Sequence, residues 1–92
     1  MHYVYLLLLS TKQIYTGCTE DLKERMIEHR RGNVDSTRNK RPLNLIHYEV
    51  YKEKEDAMRR ERFLKTNEGR KLLARQLSVL FTKIGVKRGM AQ

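Results

Sequence analysis

The apolar positions fall into short runs separated by polar stretches. Residues 3–9 are unbroken aromatic and aliphatic sequence, which predicts a buried strand. A polar break, Ser10-Thr11-Lys12-Gln13, leads to Ile14-Tyr15-Thr16-Gly17. Two such runs so close together predict a hairpin. The pattern then changes. Thr19 reads as a helix N-cap, with Glu20 and Asp21 as acids of the first turn. That helix runs to about Arg31 and stops at Gly32, a common C-terminal signal. Residues 32–42 are polar and basic and read as an exposed loop. Residues 43–51 are rich in Leu, Ile, Tyr and Val and predict a third strand. Helices follow over about 55–66 and, after Asn67-Glu68-Gly69, over 70–81. The order strand, strand, helix, strand, helix, helix predicts an α+β domain: a three-stranded antiparallel sheet flanked by helices. No internal repeat or low-complexity segment interrupts it.

Ninety-two residues is the size of one small domain. Its body is expected over 1–84, with 85–92, which hold two glycines and little apolar content, as a flexible basic tail. No apolar run approaches the ~20 residues that a membrane span needs. The N-terminus shows no secretory signal pattern. A single cysteine, Cys18, offers neither an internal disulfide nor a zinc site. A reducing cytoplasm is therefore the expected compartment.

The net charge of +9 is unevenly spread. Residues 1–68 hold 14 basic and 11 acidic side chains; residues 69–92 hold six basic and no acidic ones. Residues 22–42 form a second basic region. The excess suggests a polyanionic partner, most often nucleic acid, although composition alone is equally well explained by solubility.

Three polar residues stand where apolar ones are expected. Arg25 and His29 lie beside Leu22 and Met26 on the core-facing stripe of the first helix, and four residues apart they are neighbours. A snorkelling Arg and a hydrogen-bonded His would explain them structurally. Glu61 lies between Ala57 and Leu64 in the apolar stripe of the second helix. A carboxylate there must be paired, protonated or bound to a cation, since burying it alone costs several kcal/mol. A salt bridge to Arg25 or a nearby Lys competes with a role as metal ligand or general base. Tyr5 and Tyr15 sit near the middle of paired strands. Together the five suit phosphodiester cleavage. That reaction needs an activated water, a Lewis acid held by carboxylate, and a guanidinium to neutralise developing charge.

At this point the chain resembles the GIY-YIG nuclease family. Tyr3-Val4-Tyr5 and Tyr15-Thr16-Gly17 match its paired motifs, with Tyr3 in place of the name-giving Gly and Thr16 in place of Ile. The likeness continues through Thr19-Glu20-Asp21-Leu22, Arg25, Met26, His29, Gly32, Thr37, Pro42, Leu45, Tyr48-Glu49, Ala57, Glu61, Leu64-Lys65 and Gly69-Arg70, covering residues 3 to about 77. The chain is similar to small stand-alone members related to the N-terminal nuclease module of the bacterial excision-repair nuclease. The resemblance implies a metal-dependent DNA endonuclease, with DNA repair as one setting. By position it implies that Tyr5 or Tyr15 activates water and that Arg25 stabilises the pentavalent phosphate. It implies that His29 assists the tyrosine or binds phosphate, and that Glu61 holds one Mg²⁺ or Mn²⁺. Asn67, six residues past Glu61, stands close to the helix end for the Asn that some members carry. Arg30, Arg31, Arg38, Lys40, Arg41, Lys65, Arg70 and Lys71 are expected to track single-stranded or structured DNA, from a monomer or weak homodimer. A non-catalytic DNA-binding module on the same scaffold is the alternative, and a small interaction protein charged for solubility is a third.

Overall fold

The computed structural model describes residues 1–86. The expected flexible tail therefore falls mostly on 87–92, outside the described residues. Three strands, β1 (His2–Leu8), β2 (Ile14–Thr19) and β3 (Asn44–Tyr51), form one antiparallel sheet in the order β2-β1-β3. Four helices surround it: α1 (Leu22–Arg31), α2 (Lys54–Leu64), α3 (Asn67–Gln76) and α4 (Ser78–Ile84). The architecture is the expected α+β one. β1 is central and buried on both faces, which is why its sequence is continuous rather than alternating.

The two faces of β1 divide the core. Val4, Leu6 and Leu8 point to one side, with Ile14, and pack with Ala57, Leu64 and Leu73 of α2 and α3. Tyr5, Leu7 and Leu9 point to the other, with Met26 of α1 and Leu43. On the first side Leu77, Phe81, Ile84 and Val86 also pack against the cluster.

Several boundaries differ from those expected. β2 continues through Thr19, which pairs with Tyr3, so Thr19 is not the helix cap. Asp21 is: its carboxylate accepts from the Glu24 N–H at 3.0 Å. Thr66 belongs to the start of α3 rather than the end of α2, accepting from the Gly69 N–H at 3.0 Å. Asn67-Glu68-Gly69 is thus the first turn of a helix and not a linker. The helix expected over 70–81 breaks at Leu77, the residue shared by the ends of α3 and α4. The break lets Leu77, Phe81 and Ile84 all reach one small core.

The basic loop is also more ordered than its polarity implies. Val34 and Thr37 are buried in it, and Arg38–Lys40 forms a short 3₁₀ turn. Its pin is Arg41, whose guanidinium donates to the Arg38 and Arg30 carbonyls at 2.9 and 3.2 Å. The Lys40 carbonyl accepts from the Ser10 N–H at 3.0 Å, tying the loop to the β1–β2 turn.

Candidate active site

β1 and β2 pair with Tyr5 opposite Gly17 and Leu7 opposite Tyr15. The Tyr5 ring therefore lies across Gly17. A Cβ at that position would overlap the ring and hydroxyl of Tyr5. The glycine is needed so that a buried tyrosine can lean over the edge strand towards α1.

There it meets His29. Tyr5 Oη and His29 Nε2 are 2.9 Å apart, and the other ring nitrogen, Nδ1, is 2.8 Å from Thr37 Oγ1. His29 and Thr37 are fully buried, each 0% exposed. Both imidazole nitrogens are thus occupied, and the tautomer is coupled to the direction of the Thr37 hydroxyl. Arg25 Nε donates a long hydrogen bond to Tyr5 Oη at 3.5 Å, and its Nη1 donates to Glu28 at 2.9 Å. Nη2 has no partner among the described residues. Tyr15 completes the group. Its ring stands edge-on to His29 at 5.4 Å and tilted against Tyr5 at 6.3 Å.

Four expected residues, Tyr5, Tyr15, Arg25 and His29, therefore form one group joined through Tyr5. Glu61 is not in that contact set. It lies on α2, which packs on the opposite face of the sheet, and its carboxylate accepts from Lys65 Nζ at 3.1 Å. Of the two pairings open to it, the neighbouring Lys is the one adopted, while Arg25 pairs with Glu28. Burial raises the pKa of both Cys18 and Tyr5, and the Glu61 charge adds to the shift in each. The Glu61 side chain is 21% exposed.

The chemistry of the group follows from burial. Desolvation pushes the Tyr5 hydroxyl up to about 12, against the lowering effect of its Arg25 hydrogen bond. Desolvation, reinforced by the adjacent Arg25 charge, lowers His29 to about 4. At neutral pH the pair is a protonated phenol beside a neutral imidazole.

A histidine whose folded pKa lies below its unfolded value stabilises the fold above pH 6.5. It loses that contribution as the pH falls through about 4. The resistance of the chain to urea should therefore drop by on the order of 3 kcal/mol across that window. His29→Gln should flatten the drop. Glu49, held below its usual range by Arg60 and Tyr51, loses its contribution only at lower pH. The two effects separate in an unfolding-midpoint titration.

The expected phosphate-tracking residues are not equivalent. Arg41 is committed to backbone carbonyls, Lys65 to Glu61 and Arg38 to Asp35. Arg30, Arg31, Lys40, Arg70 and Lys71 form no ion pair among the described residues. Thr37 was not singled out for chemistry by its sequence context. A lone Thr in a polar loop carries no periodicity; the only sequence signal for it was its place in the family pattern.

No group of three or more His, Cys, Asp or Glu side chains among the described residues could cage a metal ion. Nor is any described helix long and apolar enough to cross a membrane.

The model of the GIY-YIG catalytic domain matches residues 1–74. A UPF0213 protein of Staphylococcus aureus strain Mu3 is 36% identical over 73 residues, 78% of this chain and 89% of the relative. UPF0213 protein SAV0488 of strain Mu50 matches to the same extent. No solved structure matches.

Proposed function

The chain belongs to the GIY-YIG catalytic-domain family, whose members are generally endonucleases, and from that premise we propose that it hydrolyses phosphodiester bonds in DNA with a Tyr/Arg/His/Glu site and one divalent cation. The observation that carries the reading is the buried line Thr37–His29–Tyr5, with the Arg25 guanidinium alongside it.

Hydrolysis requires a water to lose a proton as it attacks phosphorus, and a 3′ oxygen to leave. Tyr5 is protonated at rest, so it accepts the proton of water only if its own proton departs in the same step. His29 Nε2, at 2.9 Å, is the atom placed to receive it. That transfer uses the tautomer in which Nδ1–H donates to Thr37 Oγ1 and Nε2 is unprotonated. Tyr15, less buried than Tyr5 and edge-on to His29, would orient the water or the phosphate. Arg25, fixed through Nε and Nη1, presents Nη2 to a phosphate oxygen and neutralises charge that grows in the transition state.

Glu61 fits a metal that is completed by its substrate. Mg²⁺ commonly takes one or two protein carboxylates and leaves its remaining positions to water and phosphate. A partly buried carboxylate already holding an ammonium group would supply that one ligand. When bound, the ion would act as Lewis acid on the phosphate and leaving oxygen. Arg30, Arg31, Lys40, Arg70 and Lys71 would bind flanking phosphates and make affinity salt-dependent. One site suffices to nick one strand, so the chain acts as a monomer or weak homodimer. Its setting in this reading is cytoplasmic DNA processing, repair included.

Tyr5→Phe tests the relay. It should slow cleavage by about 10²- to 10⁴-fold while leaving DNA affinity unchanged. Weaker binding with unaltered turnover would assign the hydroxyl to substrate binding.

A further inference from the structure

The sheet face that carries Tyr5 is only partly covered. Along β3 the same face leaves Tyr48 51% and Val50 49% exposed. Between β3 and α1 runs a groove of about 520 Å³, floored by Tyr3, Leu45, Tyr48 and Met26 and flanked by Lys23 and Arg30. None of this is used by the relay described above. Tyr3 occupies the place of the name-giving glycine, so this aromatic floor is a departure from the family pattern.

The Tyr3 and Tyr48 rings are 6.2 Å apart and tilted by 58°. They do not stack on one another, and the outer face of Tyr48 stays open. An open aromatic face on a sheet, bordered by cations, is a stacking platform for bases. Both faces of a base inside a duplex are already stacked, so a concave platform of this kind selects an unpaired nucleotide. Glu20 and Asp21 also line the groove. Carboxylates there can accept hydrogen bonds from exocyclic amino groups of a base, while Lys23 and Arg30, which also line the groove, can pair with adjoining phosphates. The groove and the candidate site are built on the same elements, β1 and α1. Tyr48 is the register partner of Tyr5 across β1 and β3, and Lys23 and Arg30 share α1 with Arg25 and His29.

We propose that this groove holds an unpaired nucleotide of the DNA strand being cut, which makes single-stranded or branched DNA the preferred substrate. The proposal rests on the reading of the chain as a protein that acts on DNA, and it names the form of that DNA.

The test is binding of the full chain, in EDTA, to a single-stranded oligonucleotide carrying one 2-aminopurine and to a blunt duplex. The fluorescence of the probe should be quenched as it stacks. Tyr48→Ala should abolish the quenching and weaken single-strand binding about tenfold, with duplex binding unchanged. Tyr48→Phe should retain both signals, which controls for folding. Equal weakening on both DNAs, or no weakening on either, would overturn the proposal. So would a Tyr48→Ala that dissociates a dimer while single-strand affinity stays the same, since the groove would then be a protein interface. No metal is present, so cleavage does not enter the result. A chain that stacks an unpaired base but never cuts contradicts the nuclease reading alone. A chain that cuts, yet binds single strands equally well as Tyr48→Ala, contradicts this proposal alone.

Discussion

Arg25→Ala should slow DNA cleavage by about 10³- to 10⁵-fold, the range attached to a guanidinium that meets transition-state charge in phosphoryl transfer. The expectation comes from where the side chain is anchored. Nε reaches Tyr5 Oη and Nη1 reaches Glu28, so the remaining edge is aimed without further ordering. Lysine should not rescue the activity. It cannot keep two anchors and a phosphate in one plane. Stability should change little, because the Arg25 and Glu28 side chains are 35% and 40% exposed and such pairs contribute about 0–1 kcal/mol. Single-turnover rates, read beside a thermal melt, check both halves of the expectation.

Glu61→Gln should be at least as damaging to metal-dependent cleavage, with a loss of about 10³-fold or more. In the proposed reading Glu61 is the one protein carboxylate offered to the ion, and its removal would forfeit several kcal/mol of charge stabilisation. The amide keeps the shape of the side chain. The ion pair lost with Lys65 is a helix-surface i,i+4 contact, whose removal costs about 0.3–0.5 kcal/mol. DNA affinity in EDTA should persist or rise slightly, because one negative charge near the phosphates is gone. Titrating Mg²⁺ against cleavage rate for both proteins measures the effect.

The hydrophobic pattern carried most of the fold. Its two periods separated strands from helices, and the continuous run of β1 announced a strand buried on both faces. What it could not carry were features set by single hydrogen bonds. Thr19 and Asp21 are both good caps, and only the strand pairing of Thr19 with Tyr3 decides between them. Thr66 reads as the end of one helix but its hydroxyl opens the next. The break at Leu77 has no Gly or Pro to mark it.

The candidate site was legible to a similar degree. Arg25 and His29 stood out because polar side chains occupied a core-facing stripe, and Glu61 for the same reason on another helix. The reach of Tyr5 over Gly17 depends on strand register, which the turn sets rather than the pattern. Thr37 was invisible because its partner, His29, lies eight residues away across a loop that composition describes only as polar and basic. That α2, which carries Glu61, packs on the opposite sheet face from α1 is likewise a consequence of helix placement, beyond the reach of helical spacing.

The most direct test of the central claim is incubation of the purified chain with Mg²⁺ and a panel of single-stranded, duplex, flap and junction DNA. At least one substrate should be cut, the cutting should stop in EDTA, and it should be lost in Glu61→Gln. If every DNA in the panel is bound yet survives intact with enzyme in excess, the chain is a binding module and the catalytic account is wrong.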